Sequence, residues 1–383
     1  MKKNKKSILI VIFLLLATNL TTFMVSRYKI LGIKNFIKSN YLWEVDEQKL
    51  DDGIYKGIVA SLGDPYSNYW TKEEYEALDD DLAGILYGIG VQITMNDRGE
   101  VEIIAPIKDS PSEEIGIISG DIIQAVDDEL VGDKTLTEVT EMIKGELGTK
   151  VKVTIRRTDE DNSELLDFEV VRAKINLESV HYEPLEGDMA YINISSFSLQ
   201  TGNEFRKVLA DVQENNSKGI ILDLRSNPGG SLSACVDVAD QILGEGKIVY
   251  TERRDGTQDD MYYSDPHMND LPMVVLINQG SASASEIVAG AIRDHKRALL
   301  IGENTYGKGI VQTMQRLKDG AGISLTISEY YLPNGESIHK KGVAPDIEVV
   351  LNEGVKRIGL TNIEEDNQLQ YAIEELRGIL ESY

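Results

Sequence analysis

The hydrophobic pattern of the chain opens on an uncharged run, residues 7–26, with Lys2, Lys3, Lys5 and Lys6 just before it. Those 20 residues would rise roughly 30 Å as a helix, about the thickness of a bilayer core. Lysines ahead of such a run stay on the cytoplasmic side. The expectation is an uncleaved single-pass anchor in the cell membrane, with the rest of the chain extracytoplasmic. A cleaved signal peptide competes with this, but residues 21–26 hold no small-x-small cleavage site.

Further on, the period switches between two and 3.6. Residues 89–93, 101–104 and 151–155 alternate as half-buried strands. Ser110-Pro111 opens a short helix, and Thr135-x-x-Glu138 is a capping box ahead of another over 139–143. From residue 189, apolar strands (191–194, 219–224, 248–251, 273–277, 298–301) are interleaved with amphipathic helices (201–212, 231–243). The polar stretch 253–266 is expected as a mobile loop. Residues 308–317 and 323–331 form a hairpin over Lys318-Asp319-Gly320, and the acidic residues 363–383 close the chain as a helix. Strands interleaved with helices argue an α/β protein.

One stretch between a strand and a helix carries candidate chemistry: Asn278-Gln279-Gly280-Ser281-Ala282-Ser283-Ala284-Ser285-Glu286. A strand that turns sharply into a helix through small residues exposes one side chain. It also aims the N–H groups of the helix N-terminus at whatever binds there. Acyl transfer needs both, as a nucleophile and as donors to an oxyanion. Alone, the stretch reads more readily as a serine-rich helix cap without chemistry. Two other segments bear on the choice. One is Thr305-Tyr306-Gly307-Lys308-Gly309-Ile310-Val311-Gln312, whose lysine lies 25 residues past Ser283. The other is Leu222-Asp223-Leu224-Arg225-Ser226-Asn227-Pro228-Gly229-Gly230, upstream.

Together the three segments resemble the carboxy-terminal processing proteases (tail-specific proteases), PDZ-containing serine peptidases with a Ser–Lys dyad. The family pattern is G-S-A-S-A-S-E, Y-G-K-G-x-x-Q and L-R-x-N-P-G-G, and the resemblance spans about residues 51–350. It implies Ser283 as nucleophile, Lys308 as general base, Gln312 as the neutral partner of the amine, and the N–H groups of Gly229 and Ala284 as the oxyanion hole. Physical demands agree with these roles. A serine hydroxyl is a weak nucleophile until a base takes its proton, and a lysine serves as that base only when neutral, which apolar burial favours. Gln312, four residues on, shares a strand face with Lys308. Ser281 and Ser285 are then turn and cap residues. The implied fold is α/β: a crotonase-like (ClpP-like) spiral protease core with an inserted PDZ domain and an N-terminal transmembrane anchor.

Within that resemblance the organisation is 1–27 anchor, 28–82 helical segment, 83–172 PDZ domain, 173–350 protease core and 351–383 C-terminal helical segment. Asp64-Pro65-Tyr66-Ser67 is expected as a packing loop without catalysis. Tyr87-Gly88-Ile89-Gly90 matches the PDZ carboxylate-binding loop. Such a groove takes an extended peptide as an added strand and captures its terminal carboxylate with backbone N–H groups. At Lys144 relatives often carry an Arg that links the PDZ domain to the active site. Lysine keeps the charge but not the bidentate fork, so Lys144 is the expected regulatory position.

Charge and cysteine content narrow the partners. A net charge of −25 disfavours nucleic acid and anionic membrane surfaces. The single cysteine, Cys235, permits no intrachain disulfide and reads as a small core residue. Four scattered histidines show no metal-ligand spacing, and no metal or cofactor is implied. The expected partners are protein or peptide substrates with free C-termini and, through residues 7–26, the membrane; the sequence leaves a homo-oligomer open. Rival readings are a non-catalytic PDZ scaffold, which would have a broken dyad, and a signal-peptidase-like Ser–Lys enzyme, which would lack a PDZ module. A Ser–His–Asp hydrolase would need a G-x-S-x-G elbow that the chain does not contain.

Overall fold

The computed structural model describes residues 28–382, apart from 97, 160, 161 and 356. The lysines and the apolar run 7–26, expected as an anchor, lie outside the described residues. Among the described residues no helix is long and apolar enough to cross a membrane.

One compact unit joins the described part of residues 1–73 to residues 314–325. Its helix Glu47–Ala60 starts at Asp46, whose carboxylate accepts the N–H groups of Gln48 and Lys49. The strand Asn68–Trp70 pairs antiparallel with residues 322–324. Val59, Tyr69 and Ala321 form a small apolar core of this unit's own. Residues 314–325, expected as the tip of a core hairpin, therefore pack with the N-terminal segment. Asp64 accepts the Tyr66 N–H and the Ser67 hydroxyl, which makes the Asp-Pro stretch a side-chain-closed turn, as expected.

The second unit holds residues 74–313 and 326–383. A small module runs through the antiparallel strands Val91–Met95, Val101–Pro106, Ile122–Val126, Lys150–Asp159 and Asn162–Val171, in that spatial order. Its core includes Ile89, Ile103, Val139, Val153 and Ile155. The capping box is present: Thr135 accepts the Glu138 N–H, Glu138 accepts the Thr135 N–H, and the helix Leu136–Ile143 follows. A two-stranded ribbon, Ile85–Gly88 against Ala173–Asn176, flanks the module in sequence.

The rest of the unit is built on a six-stranded sheet in the order Val180–Leu185, Met189–Ile194, Gly219–Asp223, Met273–Ile277, Leu299–Gly302 and Ile347–Glu348. The first pair is antiparallel and the others are parallel. Every residue of the strands Gly219–Asp223 and Met273–Ile277 is buried, as a parallel sheet covered on both faces requires. The helices Thr201–Glu214, Leu232–Ile242 and Ala284–Asp294 belong to the core on one face, and the C-terminal helix Asn367–Glu381 covers the other. The expected mobile loop 253–266 is instead largely a strand, Gln258–Ser264, paired antiparallel with Gly246–Arg253. Asp259, Tyr262 and Ser264 turn inward while Met261 and Tyr263 are exposed. Two register shifts and the polar outer face of an edge strand hide this period from the sequence.

Gly290 decides between two opposed effects. Inside a helix, glycine is about 1 kcal/mol less favourable than alanine. Yet a β-carbon here would lie 2.4 Å from Leu332 Cδ2, in the core. Overpacking wins, so Gly290→Ala is expected to destabilise by about 1–3 kcal/mol, read from the midpoint of chemical denaturation.

Candidate active site

The strand Met273–Ile277 ends in the serine turn, and the helix Ala284–Asp294 begins directly after Ser283. The three serines of this turn are not equivalent. Ser281 is fully buried and donates its hydroxyl to Leu224 C=O at 2.8 Å. Ser285 is fully buried and donates to Asn227 C=O at 3.0 Å. Both therefore stitch the turn to the Leu222–Gly230 segment, as cap and turn residues should. Ser283 is half-buried, and its side chain makes no capping hydrogen bond. Its backbone lies at φ 53°, ψ −112°, a region that non-glycine residues occupy only when their surroundings force it, at about 1–3 kcal/mol.

What forces it is Glu286. Its carboxylate is fully buried and accepts four hydrogen bonds. Oε1 takes the Thr305 hydroxyl at 2.6 Å and the Gly307 N–H at 2.7 Å. Oε2 takes the N–H groups of Ser283 and Lys308, each at 2.8 Å. One oxygen thus holds the backbone nitrogens of Ser283 and Lys308 at most twice that distance apart. Lys308 is half-buried and lies just before the strand Ile310–Arg316, not within it. The alternation that sets residue faces therefore begins at Ile310, and the common face of Lys308 and Gln312 does not follow from strand period alone. Gln312 is half-buried, and its Nε2 is shielded from water without a hydrogen-bond partner among the described residues.

The expected oxyanion donors differ from each other. The Ala284 N–H, at the helix start, has no acceptor among the described residues. Gly229 packs directly on the serine turn: a β-carbon there would lie 2.7 Å from Ala282 C=O and 2.9 Å from Ser283 Cβ. With φ at 100° as well, only glycine fits this position. Its N–H, however, donates to Asn227 Oδ1 at 2.9 Å. The donor expected to face an oxyanion is occupied by its own loop and becomes available only when this Asx turn opens.

In the small module a groove is lined by Leu86, Gly88, Val91, Ile93, Thr140 and Lys144, among others. The N–H groups of Ile89 and Gly90 have no acceptor among the described residues, which suits them to a carboxylate. The Ile89 side chain itself is core. Tyr87, expected in the carboxylate loop, does not line the groove: strand alternation turns it away from Leu86 and Gly88, and its hydroxyl donates to Asp80. Lys144 lies at the helix end of the groove with its ammonium on Glu141, at 3.1 Å. The cation that grips this end is Arg172, which is buried and donates to the carbonyls of Met142, Ile143 and Lys150.

Comparison with known proteins agrees with this layout. Residues 188–349 match Peptidase family S41, residues 102–157 a PDZ domain, and residues 18–74 the activating protease CtpB N-terminal domain. The carboxy-terminal processing protease CtpA of Bacillus subtilis is 35% identical over 374 residues, covering 93% of this chain and 79% of that one. A carboxy-terminal-processing protease of Bartonella bacilliformis is 37% identical over 321 residues, covering 82% and 72%. The chain belongs to the S41 carboxy-terminal processing proteases. Among solved structures, a photosystem II D1 C-terminal processing protease superposes with a TM-score of 0.52 at 28% identity, covering 86% of this chain and 87% of that one. A putative S41 protease from Bacteroides fragilis gives a TM-score of 0.56, covering 91% and 97%, and at 17% identity shares the fold alone.

Two parts of this S41 protease site are not evident from the sequence. Glu286 stands in the serine-turn motif, and its signal is the Ser-x-x-Glu spacing of a capping box, of which the structure forms the Glu286 half, from the Ser283 N–H to Glu286 Oε2. The second part is a buried cluster at the root of the glycine loop. The Arg225 guanidinium, fully buried, donates to both oxygens of Asp223 and both of Asp366, and to Gln368 Oε1. The Tyr191 hydroxyl adds a bond to Asp223 at 2.8 Å. Burial works against the charge of Asp366, but Arg225 and the N–H groups of Gly359 and Leu369 outweigh it, and its carboxyl is held below the ordinary carboxylate value. A depressed carboxylate stabilises the fold above the unfolded value near 3.9 and ceases to do so as pH falls through the folded one. Acidification from about pH 5 downwards is therefore expected to loosen the C-terminal helix, measurable as faster amide exchange over residues 367–381.

Glu286→Gln puts an amide where a second oxygen accepts, and strands two buried N–H or O–H donors. At about 1–3 kcal/mol for each unsatisfied group, stability should fall by roughly 2–6 kcal/mol. Peptide cleavage should drop at least about 100-fold, since an error of 1 Å in catalytic geometry is enough for that. Thermal unfolding and steady-state cleavage of one peptide check both numbers.

Proposed function

We infer that this S41 peptidase cleaves polypeptides near their free C-termini with a Ser283–Lys308 dyad, outside the cytoplasm and anchored through residues 7–26. The observation that carries the reading is the shared Glu286 oxygen, which holds the Ser283 and Lys308 backbones side by side. Lys308 takes the Ser283 proton on its amine lone pair as Oγ attacks the scissile carbonyl. The resulting oxyanion is received by the Ala284 N–H, and by the Gly229 N–H once Asn227 releases it. Lys308 then protonates the leaving amine, and water, deprotonated in turn by Lys308, hydrolyses the acyl-enzyme. Gln312 suits a neutral base: its amide can donate to an amine lone pair, and an ammonium has none. The groove beside Gly88 and Gly90 selects substrates with an unblocked carboxylate.

A groove ligand can activate the enzyme only by its differential affinity for resting and active forms. A coupling of ~1–3 kcal/mol corresponds to roughly 5–150-fold. Amidating the C-terminus of a model substrate should slow cleavage within that range.

The dyad is tested by substitution in folded protein. Ser283→Ala should abolish cleavage and fluorophosphonate labelling. Lys308→Arg should be equally inactive, since a guanidinium does not deprotonate in proteins. Full activity in folded Ser283→Ala sinks the assignment. Protease protection of the catalytic part in wall-stripped cells would sink the topology.

A further inference from the structure

The match to Peptidase family S41 ends at residue 349, yet the chain beyond it reaches the catalytic loop. The C-terminal helix Asn367–Glu381 starts at Asp366, whose Oδ1 accepts the Leu369 N–H. Asp366 is fully buried and also binds Arg225 through both oxygens, at 2.9 and 2.8 Å. Arg225 is followed by the strained residue Ser226, at φ 59°. The Ser226 N–H donates to Asn278 Oδ1, which also accepts the Gly280 N–H of the serine turn. Asn227 C=O accepts the Ala282 N–H and the Ser285 hydroxyl. The side chain that anchors the root of this loop is therefore itself anchored from outside the protease core motifs.

We propose that Asp366 is a positioning residue of the active site, which acts through Arg225 to hold residues 226–229 and the oxyanion-binding Gly229 in register with Ser283. The proposal rests on the Ser283 assignment above and adds the C-terminal segment to the catalytic apparatus. A guanidinium is fixed in orientation only when both edges of its planar fork are engaged. Asp223 closes the buried sheet strand Gly219–Asp223, accepts the Tyr191 hydroxyl and holds one edge of the Arg225 fork. Asp366, the N-cap of the helix on the far face of the sheet, holds the other edge through both oxygens, beside Gln368. If Asp366 is lost, Asp223 still holds one edge of Arg225, but the other edge keeps only Gln368, and residues 226–229 lose part of what fixes their register.

The test uses the full chain with Asp366→Asn, which keeps the shape and an acceptor for the helix cap but removes the charge, and Gln368→Leu as a milder second variant. Wild type and variants are compared below their unfolding temperatures. We expect kcat to fall by about 10–100-fold in Asp366→Asn and by less in Gln368→Leu. KM and the affinity of the PDZ groove for a free C-terminal peptide should be unchanged. Independently of catalysis, amide exchange over residues 226–230 should accelerate in Asp366→Asn while the PDZ amides keep their protection. Unchanged exchange in that loop, or an unchanged kcat in folded Asp366→Asn, overturns the proposal. The exchange measurement remains valid even if the wild type fails to cleave peptides, so the two readings fail separately.

Discussion

The catalytic geometry depends on one buried anion. Glu286 accepts four hydrogen bonds, all from neutral donors, at a site with no exposure to water. A carboxylate is well matched to this task because it presents two oxygens with about four lone-pair positions and needs no donor of its own. Bonds to an ionised acceptor are roughly twice as strong as neutral ones. The helix start adds its dipole, which favours a negative charge in the first turn. The same low dielectric that makes an isolated buried charge costly makes each of these bonds stronger, so the arrangement is stable only when complete. Completeness requires the chain at 305–308 to lie against the helix start at 283–286. The fold cannot satisfy Glu286 without bringing the two expected catalytic residues together.

Ser283 shows what that constraint supports. Its positive φ is sustained because its neighbours are fixed on every side: Ser281 to Leu224, Ala282 and Ser285 to Asn227, and its own N–H to Glu286. Strain of this kind persists where surrounding contacts over-determine the backbone. The glycine loop opposite is built from the same parts, and its Gly229 N–H rests on Asn227 Oδ1. Ser283 and the glycine loop therefore share one hydrogen-bonded block, with the Ala284 N–H open among the described residues and the Gly229 N–H closed on Asn227.

The amino-acid sequence exposes this site to the extent that it encodes local backbone demands. Three short motifs require glycines and small residues where chain segments touch, so Ser283, Lys308 and Gly229 stand out in the chain itself. The interleaved strands and helices of the core are equally visible, since strands buried on both faces leave continuous apolar runs. Partnerships across long sequence distances are not visible. Nothing near Glu286 says that its acceptors serve residues 305–308, and nothing near Asp366 says that it meets Arg225, 141 residues away. Tyr87 illustrates a different gap: a four-residue loop motif suggests four ligand contacts, but strand alternation turns alternate side chains away. The strand Gln258–Ser264 is concealed because irregular register and outward polar residues erase the period that identifies a strand.

The PDZ groove is physically continuous with the catalytic block. Leu86 and Gly88 line the groove from the ribbon strand itself, so a bound peptide touches the ribbon and not only the module. Leu177 N–H donates to Gly84 C=O at the base of the ribbon, and just before that base Leu82 C=O accepts the Leu199 N–H of the core. Two residues before Leu199, Phe197 donates its N–H to Gly229 C=O and accepts the Ser231 N–H. Residues 197–199 thus connect the ribbon base to the turn whose Gly229 N–H is closed on Asn227. Continuity alone is no proof of coupling, which needs an element with two discrete states that both sites bias. The Asx turn at Asn227–Gly229 is such an element in form, because its donor binds either Asn227 Oδ1 or an oxyanion and cannot serve both. The ribbon base reaches that turn from the side opposite to the one Arg225 and Asp366 hold. The two constraints therefore bear on residues 225–230 from both ends, and the position of Gly229 is set between them.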